Sequence, residues 1–194
     1  LVVAALSGFG ATGPRAGQAS YDIVAQASGG LMAMTGFPEG PPVRGGGALA
    51  DFVGGLYLAL GVVAGIRDRD RTGRGRVLDL SNQDAVFAIT DSWATIAAGL
   101  GMRAERVGNQ HSFSAPYDAL EARDGWIVVG TASNKLFRRL CAAIGRPELA
   151  SDERFKHHRA RARNRHEVNA FVGAWVRARP CGEVLGALWP RGAA

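Results

Sequence analysis

Cysteine is scarce in this sequence, which argues against a cross-linked or metal-bound protein. The two cysteines, Cys141 and Cys181, lie far apart and outside any CxxC or other metal-ligand spacing. Isolated cysteines of this kind are typical of reduced thiols in a reducing compartment. We therefore expect a cytoplasmic protein without a disulfide framework and without a metal site.

Long apolar runs are lacking as well. A membrane helix needs about 18 consecutive apolar residues, and residues 52–66 come closest but contain glycine and alanine and are flanked by charges. The apolar residues 1–6 have no basic leader and end at Ser7-Gly8, so they do not resemble a secretory signal. The sequence favours a packed soluble helix over a membrane span and predicts no membrane partner.

The charge balance is basic but interrupted. Lys and Arg number 23 against 17 Asp and Glu, which gives a net charge of +6. Much of the excess lies in residues 67–76 and 154–165, and a basic surface can indicate nucleic acid, a phosphate-bearing cofactor or an acidic protein as partner. Asp68, Asp70 and Glu153 interleave with these arginines, and no nucleic-acid-binding motif accompanies them. We favour solvated surface segments and no nucleic-acid partner.

The first half of the chain has a strand–loop–helix pattern. Residues 1–6 read as a buried strand of a parallel sheet, and residues 76–81 alternate as a second strand. Long helices are predicted at residues 21–34, from Asp51 to a charged turn at 67–75, and at 84–99, where Ser81 or Asn82 is the cap. The predicted core is formed by Leu56, Leu60, Val63, Val86, Phe87 and Ile89, with glycines at 54, 55, 61 and 65 allowing close helix packing.

The second half has a different pattern. Residues 103–115 are polar and irregular, and Asp124-Gly125 marks a hairpin turn between strands at 117–122 and 126–130. Helices are predicted at residues 134–144, 147–155 and 165–179. The expected organisation is an α/β domain at residues 1–105 followed by a linker and small α+β domain at residues 106–194.

The segment just before Asp51 is unusually rich in glycine. Three glycines, Gly45, Gly46 and Gly47, come before it and strip side chains from the backbone, so that a bulky substrate or exposed N–H groups can come close. An aspartate before an apolar helix is most often an N-cap. It is also a carboxylate stabilised by a helix N-terminus, where it can do chemistry. Both interpretations fit the residues.

A series of motifs in fixed order resembles the class III coenzyme A transferases, the family of formyl-CoA transferase and carnitine-CoA transferase. The motifs are SGFGATGP (7–14), YDIVAQASGGLM (21–32), TG (35–36), GPPVR (40–44), AD (50–51), GLY (55–57), RTGRG (71–75), QDA (83–85), GNQH (108–111), APY (115–117), DGW (124–126), GRPEL (145–149) and the stretch 161–164. The resemblance implies a parallel-sheet, Rossmann-like portion of a large domain, then a smaller α+β domain, in an interlocked homodimer. It also implies a central piece of such a protein.

The resemblance further implies chemistry for particular residues. Asp51 matches the family's nucleophile, and Ser7, Gly8, Phe9 and Gly10 match a loop that lies against CoA. The implied reaction moves CoA from an acyl-CoA to a carboxylic acid through aspartyl anhydride and aspartyl-CoA thioester intermediates, with CoA as substrate and no metal. His111 matches a loop that covers the site, although a surface linker histidine is the simpler interpretation.

Two alternatives remain beside transfer. The 2-methylacyl-CoA racemases resemble the same family and use a histidine where this chain has Tyr21 in Ser20-Tyr21-Asp22. Because a tyrosine has a reference pKa near 10, it is a poor base at neutral pH, which makes an epimerase the weaker interpretation. The other alternative is an inactive CoA-binding fragment.

Overall fold

The computed structural model describes residues 1–192 as a mixed α/β chain that divides into two units, Leu1–Gly108 and Asn109 onward. In the first unit, β1 (Val2–Ser7) and β2 (Arg76–Ser81) pair in parallel, with Val2 opposite Arg76 and Ser7 opposite Ser81. The predicted parallel pairing is therefore confirmed. The predicted burial of the first strand is wrong, because these two strands form a two-stranded sheet on which Val3 and Val77 remain exposed.

The predicted helix at residues 21–34 is two short helices. α1 (Asp22–Ser28) ends at Gly29, and α2 (Leu31–Met34) starts after Gly30, whose φ of +90° lies in the left-handed region. A Cβ at Gly29 would lie 2.7 Å from the Val86 side chain. The glycine pair therefore breaks the helix and lets α1 pack closely against the segment that carries Val86.

α3 (Leu49–Thr72) connects the two parallel strands and packs against both of them. It continues through the charged residues predicted to form a turn and ends at Gly73, which has a φ of +70°. The predicted core residues Leu56, Leu60 and Val63 are 71%, 66% and 65% exposed, so that prediction is wrong. The helix instead meets the sheet at Gly54, which lies near Leu6, and at Gly65, which lies near Val2 and Leu78, while the buried Ala50 packs with Ala25 and Val86.

Among the described residues, α3 is also long and apolar enough to cross a membrane, judged by length and composition alone. The packed soluble helix expected here from the sequence stays a prediction. Most of the apolar stretch is not buried within this chain.

The predicted helix at residues 84–99 is likewise divided. α4 (Asn82–Ala88) is capped by Ser81, whose hydroxyl accepts from the Asp84 N–H at 3.0 Å, and α5 (Trp93–Leu100) follows after a break at Asp91. Asp91 has a φ of +57°, a left-handed conformation that aspartate tolerates better than most residues. Of the three core residues predicted here, Val86 is fully buried, Ile89 is half-buried and Phe87 is exposed.

The second unit contains the predicted hairpin. β3 (Tyr117–Ala122) and β4 (Gly125–Gly130) are antiparallel, and Ala122 pairs with Gly125 across the turn. The helices are α6 (Asn134–Ala143), α7 (His158–Arg163), α8 (Arg165–Arg177) and α9 (Cys181–Leu188), with 3-10 turns at Pro147–Ala150 and Trp189–Arg191. α7 and α9 were not predicted, and the predicted helix at 147–155 is only the first of these 3-10 turns.

The basic stretches have two different environments. Arg71 and Arg76 pair with Asp68, and Arg154 pairs with Asp152 and Glu167, as expected for solvated segments. Arg161 does not fit that prediction, because it is fully buried. Its guanidinium donates to the Ala115 and Phe155 carbonyls and the Asn134 side chain, and it stacks 4.5 Å from the Phe137 ring centroid.

Candidate active site

Asp51 lies in the first turn of α3 with its side chain exposed. The helix begins at Leu49 and its N-cap is Ala48, so the interpretation of Asp51 as the N-cap is wrong. Because the side chain does not cap its own helix, the carboxylate is available for other contacts. The N-terminal end of the helix favours its negative charge.

The carboxylate that does cap α3 comes from α1. Asp22 Oδ1 accepts from the backbone N–H of Ala50 at 2.7 Å, and Oδ2 accepts from Gln26 Nε2 at 2.8 Å and Arg44 Nη1 at 3.3 Å. Its side chain is only 12% exposed. Asp22 therefore fixes the start of the helix that carries Asp51, while its own charge is compensated by Arg44.

The glycine run before Asp51, residues 45–47, is held in place by α1, the helix that also carries Asp22. Gln26 is fully buried, and its Oε1 accepts from the Gly45 N–H at 2.9 Å. That N–H is therefore engaged and is not a free oxyanion donor. A Cβ at Gly46 or Gly47 would meet open space, and Gly47 has a φ of +69°. Of the three glycines, only Gly46 and Gly47 leave the open space beside the backbone that the sequence predicts.

The Asp51 carboxylate has a hydrogen-bond partner in Asn82, the first residue of α4. Asn82 Nδ2 donates to Asp51 Oδ1 at 2.9 Å. The Asn82 Oδ1 atom is buried, and no donor reaches it among the residues that the structure describes. Such an unsatisfied atom costs about 1–3 kcal/mol, so this amide is held in place at some expense of stability.

The loop of Ser7, Gly8, Phe9 and Gly10 follows β1 directly. The Gly10 N–H donates to Ser7 Oγ at 2.9 Å, and the Gly8 carbonyl accepts from the Gln83 N–H at 3.1 Å. A Cβ at Gly8 would clash with Ser20, so this glycine is needed for packing within the chain. The loop lies at the carboxyl end of a parallel strand, where α/β sheets bind ligands.

A cavity of about 490 Å³ adjoins this loop. It is lined by Phe9, Thr12, Pro14, Arg15, Ser28, Gln83 and Asp84. The Arg15 guanidinium lies 5.5 Å from the Phe9 ring centroid, so a cation stands beside an aromatic face at this cavity. Phe9 is thus the loop residue that lines it. Asp51 is not among the lining residues.

Consecutive residues connect the loop with Asp51. Asn82 binds the Asp51 carboxylate through its side chain, and Gln83 binds the Gly8 carbonyl through its backbone N–H. Both stand at the junction of β2 and α4, directly after the cap residue Ser81. The structure therefore brings the two sequence-predicted parts of the site to the same junction.

Two other residues were candidates from the sequence, Tyr21 and His111. Tyr21 precedes α1 with its side chain 82% exposed. In the second unit, His111 Nδ1 accepts from the Phe113 N–H at 3.0 Å, and its ring lies 5.3 Å from that of Tyr117. Within residues 1–192, no group of three His, Cys, Asp or Glu side chains could hold a metal ion.

The comparisons with known proteins identify the family. The family model described as CoA-transferase family III matches residues 1–194. The chain belongs to CoA-transferase family III. Among curated family III relatives, the acetyl-CoA:oxalate CoA-transferase of Acetobacter aceti is 37% identical over 186 residues, covering 95% of this chain and 48% of that protein. The succinyl-CoA:glutarate CoA-transferase of Mus musculus is 35% identical over 177 residues, covering 90% and 40%.

Solved structures of the family have the same fold. A CAIB/BAIF family protein from Brucella suis superposes with a TM-score of 0.81 at 32% identity, over 100% of this chain and 51% of that one. Rv3272 from Mycobacterium tuberculosis gives a TM-score of 0.85 at 27% identity, over 99% and 50%. The chain spans about half the length of the family III proteins it matches.

Sequence reasoning missed two residues of this candidate site. Asp22 lies inside a motif that the resemblance includes, but its partner Ala50 is 28 positions away, so no local pattern reveals the contact. Asn82 was considered only as a helix cap. The signal that could have identified it is Gly54, a glycine within a helix, where a close approach by another group is the usual reason.

Proposed function

We propose that this chain carries the nucleophile and part of the CoA site of an acyl-CoA:carboxylate CoA-transferase, with Asp51 as the nucleophile. The observation that carries the proposal is the exposed Asp51 carboxylate in the first turn of α3, tied through Asn82 and Gln83 to the loop after β1. A carboxylate needs no proton removed before it attacks. The family supports the same reaction class.

In the proposed reaction, an Asp51 oxygen attacks the thioester carbonyl of the donor acyl-CoA. The carbon–sulfur bond breaks, CoA leaves as its thiolate, and a mixed anhydride joins Asp51 to the donor acyl group. The thiolate then attacks the Asp51 carbonyl carbon, which releases the donor acid as a carboxylate and leaves CoA bound to Asp51 as a thioester. Covalent intermediates of this kind divide one difficult exchange into easier steps.

The second half of the cycle reverses the first with another acid. The acceptor carboxylate attacks the Asp51 thioester and expels the CoA thiolate, forming a new mixed anhydride. The thiolate attacks the acceptor carbonyl, which gives acceptor-CoA and restores the Asp51 carboxylate. No oxidant, reductant or metal is needed, because each step exchanges one acyl bond for another.

We propose that the pantetheine arm of CoA runs along Ser7, Gly8, Phe9 and Gly10 and that the adjoining cavity accommodates part of the thioester substrate. Phe9 supplies an apolar face, and Arg15 supplies a cation at the cavity. The rest of the lining is mostly polar, with Thr12, Ser28, Gln83 and Asp84 beside Pro14.

For the acceptor we propose a small dicarboxylic acid. The acids named for the relatives include oxalate, malate and glutarate, all of them dicarboxylates. We also propose that the intact protein acts as a homodimer, as the resemblance implies, which light scattering after size-exclusion chromatography would test. A panel of mono- and dicarboxylic acids, assayed with succinyl-CoA and acetyl-CoA, would test the substrate class.

The decisive experiment is Asp51→Ala in the intact protein. We expect transfer to be abolished while the affinity for CoA, measured by calorimetry, stays within about fivefold, because a carboxylate lost at the reacting centre removes the covalent path and not the binding surface. Wild-type protein incubated with acyl-CoA and then treated with hydroxylamine or borohydride should carry the modification on Asp51 by mass spectrometry. Near-normal turnover of Asp51→Ala would show that the assignment is wrong.

A further inference from the structure

We propose that Asn82 is a catalytic residue of the transfer reaction, donating a hydrogen bond to Oδ1 of Asp51 throughout the cycle. The inference rests on the proposed function, because it requires Asp51 to be the nucleophile. It adds a donor at the reacting carboxylate that the family resemblance did not assign. Its basis is the 2.9 Å contact from Asn82 Nδ2 to Asp51 Oδ1.

The orientation of the amide follows from its partner. A carboxylate oxygen can only accept hydrogen bonds, so the Asn82 nitrogen must face Asp51. The Asn82 oxygen is then left buried, and the described part of the chain offers it no donor. Since a buried unsatisfied oxygen is destabilising, this side chain is poorly placed for stability but well placed to serve Asp51.

Gly54 provides the space for this contact. It lies three residues after Asp51 on α3 and is buried, and a Cβ there would clash with Asn82 Oδ1 and come within 3.2 Å of Leu6 Cδ1. The next residue, Gly55, is exposed, and a Cβ there would meet nothing within 4 Å. Gly54 therefore lets the Asn82 side chain cross the surface of α3, and Gly55 has no such task.

Hydrogen bonds made by the two residues next to Asn82 fix the position of its backbone. Ser81 caps α4 by accepting from the Asp84 N–H, and the Gln83 N–H donates to the Gly8 carbonyl at 3.1 Å. Asn82 lies between these two anchored residues. The segment after β2 therefore holds both the Asn82 side chain and, through Gln83, the proposed CoA loop. As a result, the same segment fixes the Asn82–Asp51 hydrogen bond and the distance from Asp51 to the loop.

The hydrogen bond has a specific task in the proposed chemistry. When the CoA thiolate attacks the Asp51 carbonyl carbon, the electron pair of the carbonyl bond moves to Oδ1, which becomes an oxyanion. Asn82 Nδ2 already points at that atom and stabilises the charge as it develops. When the intermediate collapses, the pair returns to reform the carbonyl and the donor carboxylate leaves. Preorganised donors of this kind act more strongly on the transition state than on the ground state.

The test is a set of four variants in the intact protein: Asn82→Ala, Gly54→Ala, the double variant, and Gly55→Ala as the matched control. Loss of one oxyanion donor costs about 10²- to 10³-fold in kcat in enclosed sites. Because Asp51 is exposed in this chain, we expect a loss of about 10- to 100-fold for Asn82→Ala, with the KM for acyl-CoA changed by less than about threefold. Gly54→Ala should resemble it, and Gly55→Ala should keep wild-type kcat.

The double variant separates a shared mechanism from general damage. If Gly54 acts by making room for Asn82, the Gly54→Ala change should cost little once Asn82 is already alanine, so the two effects are not additive. Circular dichroism and thermal melting check that each variant folds. Wild-type kcat in Asn82→Ala, or fully additive losses, would overturn the inference. If the Asn82 variants overturn the inference but Asp51→Ala is inactive, the proposed function still stands and only the role of Asn82 is lost. An active Asp51→Ala would overturn both the proposed function and the role of Asn82.

Discussion

From Asn109 onward most of the large aliphatic side chains face inward, with Val128 a clear exception, whereas in the first unit many of them face outward. The second unit encloses Leu140, Val168, Val172 and Leu188 with no exposure. In the first unit the buried apolar cluster is Ala25, Ala50 and Val86, while Leu56 and Leu60 on α3 are exposed. One unit is held by an apolar core, and the other positions its site with small residues and polar contacts.

This difference separates stability from activity along the chain. Three hydrogen bonds fix the surroundings of Asp51: Asp22 accepts from the Ala50 N–H, Gln26 accepts from the Gly45 N–H, and Asn82 donates to Asp51 itself. Individually, such bonds contribute about 0.5–1.5 kcal/mol, less than burial of a large side chain. Substitutions in the second unit should therefore reduce stability first, and substitutions in the polar network should reduce turnover first.

The largest expected contrast is between two leucines. Leu140→Ala removes a fully buried side chain from α6 and should lower the free energy of unfolding by about 2–5 kcal/mol. The matched control Leu60→Ala, on an exposed side of α3, should change it by less than about 0.5 kcal/mol. Urea unfolding of the intact protein, followed by circular dichroism, measures both. An equal loss for Leu60→Ala would mean that this side of α3 is covered in solution, and the comparison would fail.

The next effect concerns the buried arginine of the second unit. Arg161→Ala leaves the Ala115 and Phe155 carbonyls without their donor and opens a cavity beside Phe137, so we expect a loss of about 3 kcal/mol. Arg163, two residues later on α7, is exposed, and Arg163→Ala should stay within about 0.5 kcal/mol. The same urea titration compares them. If both variants lost equally little, Arg161 would be a surface residue in solution, contrary to the structure.

These two regions also differ in how far the sequence predicts them. Strand alternation around Asp124-Gly125 and the apolar periodicity at residues 134–144 are local signals, and both elements form as predicted. On α3 the apolar pattern misled, because the contact with the sheet is made through Gly54 and Gly65, which have no side chain to register in such a pattern. Hydrophobic residues mark a core only where packing partners are present in the chain.

The site shows the same division between local and distant signals. The glycine run before Asp51 and the loop after β1 are visible as motifs. The parallel pairing places the loop after β1 and the residues after β2 at the same end of the sheet. The capping of α3 by Asp22 and the contact of Asn82 with Asp51 join residues 28 and 31 positions apart. Propensity and spacing carry no information on such pairs, so only the folded chain reveals them.

A smaller effect is expected at Asp22. Asp22→Ala removes the acceptor for the Ala50 N–H at the start of α3, which should cost about 1 kcal/mol of stability, as cap losses do. Turnover should fall more than this stability loss explains, because the first turn carries Asp51. Asp22→Asn keeps an oxygen that can accept from Ala50 but not the second acceptor for Gln26 and Arg44, so it separates the helix cap from those two contacts. Kinetics and melting of the two variants measure this, and equal kinetics would show that the cap does not position Asp51.

The smallest expected effect is a pH dependence in the second unit. Burial and the nearby positive charges of Arg161 and His111 hold the pKa of His158 below its usual value of 6.5. Ser114 Oγ lies 3.3 Å from Nε2 of His158. Because the folded state favours the neutral ring, the unfolded state binds more protons below pH 6.5, and stability falls as the pH drops from 6.5 through the lowered pKa. Above pH 6.5 this contribution is fully present.

His158→Gln cannot titrate, so its unfolding free energy should decline less between pH 7 and pH 5 than that of the wild type. Parallel slopes for the two proteins in urea titrations across that range would show that His158 does not sense pH.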